Sequence, residues 1–211
     1  MNRYFHAELE EIKNQLILIG EKANEAARIS VDGFLENDLT KIEKAIALDD
    51  EIDQLEQDID RAAVRYITLR GPVSSDVRLI FVAIKASHDI ERVGDEAHSI
   101  AKHAKKILTR EGRLQNYGTI QEMSELACGM MSDAITCFVE QDIELARELI
   151  ERDKKVDKLN RENYKVFAKK GDPTTDNITD FEITLISRSI ERIADHSTNL
   201  AEEVIYLLTG E

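Results

Sequence analysis

The chain has 211 residues, 42 of them acidic and 28 basic, for a formal charge of −14 at pH 7. An excess of that size repels a phosphate backbone, which excludes general nucleic-acid binding and directs attention to cations and basic partners. With 42% hydrophobic and 33% charged residues the chain has enough apolar surface for a core and too much for a disordered acidic tail.

Cys128 and Cys137 form no paired-thiol motif and read as two small buried hydrophobes. No run approaches the roughly 18 apolar residues of a membrane span. The first residues lead into Glu8, Glu10 and Glu11 instead of an apolar signal core, so a cytoplasmic location is expected.

Only Pro72, Pro173 and nine glycines punctuate the chain, and no strand alternation is visible. A first helix is expected to end in a turn from Gly33 to Asp38, with Asp38 capping a second helix that opens at Leu39. In that second helix Leu48, Ile52, Leu55, Ile59, Ala62, Tyr66 and Leu69 step by three and four. Gly71-Pro72 and Ser74-Ser75-Asp76 make the next turn and cap. The third helix carries the seam Ala83, Ala86, Ile90, Val93, Ala97, Ile100, Ala104 and Ile107. Breaks at Gly112 to Gly118, at Glu140-Gln141-Asp142 and at Gly171-Asp172-Pro173-Thr174 delimit three more helices. Periods sustained this long belong to packed long helices. The expected fold is all-α: six long helices in two tandem three-helix bundles, residues 1–111 and 112–211.

The halves read as copies. Phe34-Leu35-Glu36-Asn37-Asp38-Leu39 matches Phe138-Val139-Glu140-Gln141-Asp142-Ile143 at an offset of 104, continuing through Ile52 with Val156 and Asp53 with Asp157. Beyond the proline turn the offset is 100, with Ile90-Glu91-Arg92-Val93-Gly94-Asp95 against Ile190-Glu191-Arg192-Ile193-Ala194-Asp195.

A carboxylate pair repeats with the core. Asp49 and Asp53, Glu91 and Asp95, Asp153 and Asp157, and Glu191 and Asp195 are each four apart, on one helix face with Cβ atoms about 6 Å apart. Any one such pair in so acidic a chain is ordinarily a solvated face. Placement distinguishes these: the first two pairs centre on residues 51 and 93, symmetric about Pro72, and the others on 155 and 193, symmetric about 174. In antiparallel hairpins each set then lies at one height, about 30 Å from its turn. The acids flank the seam residues, so an outward-facing groove is expected. Oxygen ligands suit hard cations such as Mg²⁺, Ca²⁺, Mn²⁺ or ferric iron.

These motifs, with Gly71-Pro72-Val73-Ser74-x-Asp76-Val77-Arg78 and Asp195-His196-x-x-Asn199-Leu200-Ala201, resemble the PhoU family over essentially the whole chain. The resemblance implies two three-helix bundles and a non-enzymatic, negative regulator of inorganic phosphate uptake. It would link the phosphate-specific ABC transporter ATPase to the sensor histidine kinase of the phosphate regulon, at the membrane periphery and as a homodimer. It also implies metal bound on the eight acids, iron clusters first, with Zn, Ni, Mg, Mn or Ca as other occupants. Glu96, His98, His196, Asn199, Arg92 and Arg192 are candidate auxiliaries.

The copies differ here: Ala194 stands for Gly94, Asn199 for Ser99 and His196 for Glu96, so the two sites need not be equivalent. Arg92 and Arg192 read first as local ion pairs, and His98 as a partly exposed helix histidine. Lys102, Lys105 and Lys106 read as complements to a helix dipole. His6, His88 and His103 have no site-like spacing. Two other readings compete: a metal-free acidic adaptor for a basic protein, and a carboxylate di-iron enzyme. The latter needs Glu-x-x-His pairs, and no Glu stands three before any histidine. No nucleophile with a base and no phosphate-cradling glycine loop is present, so no catalysis is expected.

Overall fold

The computed structural model describes residues 2–111, 114, 116–167 and 178–210, with side chains from residue 7 onward. Its helices are α1 (Asn2–Glu36), α2 (Leu39–Arg70), α3 (Ser74–Glu111), α4 (Ile120–Glu140), α5 (Ile143–Phe167) and α6 (Ile178–Thr209), and no strand occurs among the described residues. The expected turn at Gly171 to Thr174, and much of the link from Gly112 to Gly118, lie outside the described residues.

Local chemistry sets the helix ends. Asp38 accepts hydrogen bonds from the backbone amides of Thr40 (2.8 Å) and Lys41 (3.3 Å), satisfying donors that a first helical turn leaves free. Asp142 does the same for Leu145 (3.0 Å) in the second half. Before each cap one residue takes a left-handed conformation, Asn37 (φ 62°) and Gln141 (φ 57°). The turn is shorter than expected, because α1 continues through Gly33 to Glu36. Gly33 serves packing instead: a Cβ there would meet the Ile42 side chain at 3.0 Å. Ser74-Ser75-Asp76 likewise forms the first turn of α3, with the Asp76 charge at its positive end.

The α3 seam from Ala83 to Ile107 is buried throughout. On α2, Leu48, Ile52, Ile59 and Tyr66 are buried and Leu55 and Ala62 are partly so. Leu69 is 62% exposed, so the buried seam stops short of the last turn of α2. α1, α2 and α3 pack together, as do α4, α5 and α6. The two bundles join where α3 packs on α6 and α1 on α4.

The α3 and α6 helices run antiparallel: Lys85 pairs with Glu203 (2.6 Å), Glu96 with Arg192 (2.9 Å) and Lys106 with Glu182 (3.5 Å), residue numbers rising along one helix as they fall along the other. An approximate two-fold relates the halves. Ser189 donates to Ser99 (3.3 Å), and their repeat counterparts Asp89 and Asn199 also bond, Asn199 Nδ2 donating to Asp89 Oδ1 (3.0 Å).

Candidate functional site

In the first bundle, Leu48 and Ile52 on α2 and Ile90 and Val93 on α3 point into the core. Helical geometry therefore turns Asp49, Asp53, Glu91 and Asp95 to the flank where α2 meets α3. Their carboxylates lie within electrostatic reach of one another. Loss of solvation, then the charges of Asp49 and Asp95, push Asp53 above the usual carboxylate range. Burial, then Asp95 and Asp53, raise Glu91 against the opposing pull of Arg92. Arg92 donates to Asp95 (2.9 Å) and lies 3.6 Å from Glu91, the local pairing expected of it.

His98, read from sequence as a partly exposed helix histidine, is only 20% exposed, and its Nδ1 bonds Asp49 Oδ2. A ring so held, with its Nδ1 proton on a carboxylate, presents the Nε2 lone pair elsewhere. Buried Nε2 of His98, Oδ1 of Asp49 and Oε2 of Glu91 have no hydrogen-bond partner.

The second bundle repeats the arrangement on α5 and α6. Burial, then Asp195 and Asp157, push Asp153 up to about 6. Burial followed by Asp195 and Asp157 raises Glu191, and burial followed by Asp157 raises Asp195 against His196 and Arg192. Asp153 Oδ1 is buried without a hydrogen-bond partner, while Arg161 holds Asp157 at 2.6 Å. No described histidine takes the place of His98 here: Thr198 stands at that position and donates to the backbone of Asp195 (2.7 Å).

Four of the auxiliary candidates, His196, Asn199, Glu96 and Arg192, are engaged across the bundle interface. His196 Nδ1 and Asn199 Nδ2 both lie 3.0 Å from Asp89 Oδ1 on α3, so they bind the other bundle and not Glu191 or Asp195. Burial alone would raise Asp89, but the bonds from His196 and Asn199 outweigh it and hold the carboxyl below its ordinary range. Glu96 is engaged by Arg192, whose pairing is thus between bundles and not local. His103 bonds Glu182 on α6, another contact between bundles. Asp89 and Glu182 were invisible to spacing arguments because their partners lie on another bundle.

Asp95 and Asp195 line one groove over the α3–α6 junction, together with Arg92 and Arg192, so both acidic sets open on the same side of the molecule. Carboxylate oxygens plus one imidazole nitrogen form a donor set for hard or borderline cations. The buried oxygens of Asp49, Glu91 and Asp153 that accept no hydrogen bond fit such an occupant. Among the described residues, no three His, Cys, Asp or Glu side chains converge closely enough to enclose an ion. The fit is one of donor chemistry and charge, not of a preassembled cage. Cys128 and Cys137 are buried, with thiols pushed up to about 11 by burial, and take no part.

Two tandem three-helix bundles, joined back to back and each bearing a carboxylate cluster across its hairpin, define a class of duplicated, acidic-faced helical protein. The family model described as PhoU domain matches the chain twice, over residues 16–104 and 120–204. The chain belongs to the PhoU family. It is 37% identical over 205 residues to the "Phosphate-specific transport system accessory protein PhoU homolog" of Aquifex aeolicus, covering 97% of this chain and 92% of that one. The protein of the same name from Pseudomonas aeruginosa is 31% identical, over 100% of this chain and 87% of its own. The crystal structure of PhoU from Pseudomonas aeruginosa superposes with a TM-score of 0.89 at 32% identity, over 98% of this chain and 100% of that chain. No helix among the described residues is long and apolar enough to cross a membrane.

Proposed function

We propose that the protein is a non-enzymatic, cytoplasmic accessory of phosphate-specific transport and a negative regulator of phosphate uptake and of the phosphate regulon. In this reading it is a homodimeric, metal-binding scaffold between the transporter ATPase and the sensor histidine kinase. Family membership over the whole chain supports the phosphate role. The observation that carries the metal role is the gathering of carboxylates in both bundles with buried oxygens of Asp49, Glu91 and Asp153 that accept no hydrogen bond; burial, then the neighbouring charges, raise the pKa of Asp53, Glu91, Asp153 and Glu191, a cost that a shared cation would relieve. Asp49, Asp53, Glu91 and Asp95 would hold metal in the first bundle, with His98 Nε2 as a nitrogen donor. Asp153, Asp157, Glu191 and Asp195 would hold it in the second. A bound cation supplies charge neutralisation and a cross-link between the two helices of each hairpin.

Metal analysis of protein purified without chelator, iron first, tests this against an Asp53→Asn plus Asp95→Asn variant. Lower content in the variant is expected, and equal content refutes the site. Deleting the protein in its host is expected to raise phosphate-regulon expression in phosphate-rich medium, and unchanged expression refutes the regulatory role. The lack of three converging ligands among the described residues favours a second reading, in which the same acidic faces engage a basic protein surface directly. That reading requires a metal-free wild type.

A further inference from the structure

Next to the first acidic set lies a cleft of about 800 Å³ whose lining reverses the charge of the protein. Along α3 it runs from Asp95 and His98 through Lys102, Lys105 and Lys106 to Arg110, with Asp49 of α2 beside His98. Two carboxylates line it, Asp49 bonded to His98 and Asp95 to Arg92. Against them stand Lys102, Lys105, Lys106 and Arg110, so the lining is net positive in a chain of formal charge −14.

A helix dipole does not account for these lysines. Its influence fades within the last turn, whereas α3 ends at Glu111 and Lys102 lies more than two turns before it. The duplication supplies an internal control as well. At the offset of 100, Glu202, Ile205 and Tyr206 stand where Lys102, Lys105 and Lys106 stand, so the fold has no need of basic residues there. Lys102 has no carboxylate partner among the described residues. Lys105 is held only by the exposed Glu43 (3.1 Å), a contact that costs little to exchange, and Lys106 lies 3.5 Å from Glu182, whose other oxygen His103 bonds.

We propose that this cleft is a binding site for a phosphoryl oxyanion, with Lys102, Lys105 and Lys106 donating to its oxygens. Three ammonium groups on one concave wall suit a small multiply charged anion, and the volume admits either inorganic phosphate or a phosphorylated nucleotide. The site goes beyond the metal reading and does not require it: a cation on His98 would add to the anion's hold, while the lysines act alone.

Equilibrium dialysis with radiolabelled inorganic phosphate, and separately with radiolabelled ATP, tests the proposal in chelator and again with Mn²⁺, whose free concentration is followed by its EPR signal. Lys102→Glu plus Lys106→Tyr transplants side chains that the second half already carries. It is expected to weaken binding at least tenfold with unchanged Mn²⁺ uptake and helical CD. Phosphate binding or ATP binding that is lost in this variant supports the site and identifies which source fills it. Binding of neither probe by the wild type at millimolar concentration, or equal binding by the variant, overturns it. Lysine-dependent anion binding with no Mn²⁺ uptake supports this site as independent of a cation, whatever metal analysis finds at the acids.

Discussion

Replacing Asp153 with Asn separates the electrostatic cost of the second acidic set from its use. In the folded protein the Asp153 carboxyl is pushed up to about 6 from an ordinary 3.8, because burial strips its solvation and Asp195 and Asp157 oppose its charge. An acid whose folded pKa is raised favours the folded state when protonated. Its contribution is complete below about pH 4, declines as pH rises through 4 to 6 and stays lost above that. At about 1.4 kcal/mol per unit, the shift makes ionised Asp153 a burden of about 3 kcal/mol at most, reduced by its residual contact with water. Asn removes the charge and nearly preserves the shape. In chelator, urea unfolding is expected to find Asp153→Asn more stable than wild type by about 2 kcal/mol at pH 7.5, the gap closing toward pH 4. A cation that occupies the set reverses the order. At a hundred times its dissociation constant it stabilises the wild type by about 2.7 kcal/mol and the variant by much less. Parallel stability curves for the two proteins across pH 4 to 7.5 in chelator would show that the acids do not strain one another.

Three further outcomes follow from the packing. Gly94→Ala would place a methyl 3.0 Å from Ile52 Cδ1 and 3.1 Å from its Cγ2; the overpacking cost of about 1–3 kcal/mol exceeds a helix-propensity gain of about 1 kcal/mol. Adding Ile52→Val removes Cδ1, so the double variant should be more stable than the sum of the singles by about 1 kcal/mol in urea unfolding, and strict additivity would refute the contact. Arg192→Ala leaves Glu96, only 12% exposed, without its partner; a loss of about 2 kcal/mol is expected, and an unchanged unfolding midpoint would mean that the pair is already hydrated. Asp38→Ala should cost about 1 kcal/mol through the lost cap of α2, whereas Asp38→Asn should cost much less. Similar losses from both would refute the capping role.

The six helices and their repeat were legible because the signals are local. Apolar period, cap chemistry and proline breaks act within a few residues, and Asp38 caps where the sequence indicates. The two acidic sets were legible for a related reason: antiparallel hairpins convert sequence distance from a turn into height. What spacing could not reveal depends on how the bundles meet. His196 and Asn199 look like neighbours of Asp195, yet both turn to Asp89, about a hundred residues away. His98, which read as a partly exposed histidine, is held by Asp49 across α2 and α3. Leu69 fits the α2 seam by period yet is exposed, although α1 reaches this end of α2, where Glu8 pairs with Arg70.

The two halves also divide what folding requires from what it leaves open. Ile52 crowds Gly94 in the first bundle, while the repeat pairs the smaller Val156 with the larger Ala194, so the two pairs contain the same number of side-chain carbons. Close packing fixes volume at this helix crossing and tolerates exchange between partners. The flanking acids recur in all four positions although they raise one another's pKa, a cost that packing does not demand. The lysines of α3 do not recur at all, and glutamate replaces one of them without disturbing the helix. A feature repeated at a cost to stability points to a task shared by both bundles. A feature present once, on a fold that does not need it, points to a task held by one. The proposed cation binding would be of the first kind and the proposed anion binding of the second, which is why substitutions at Asp153 and Lys102 should separate them.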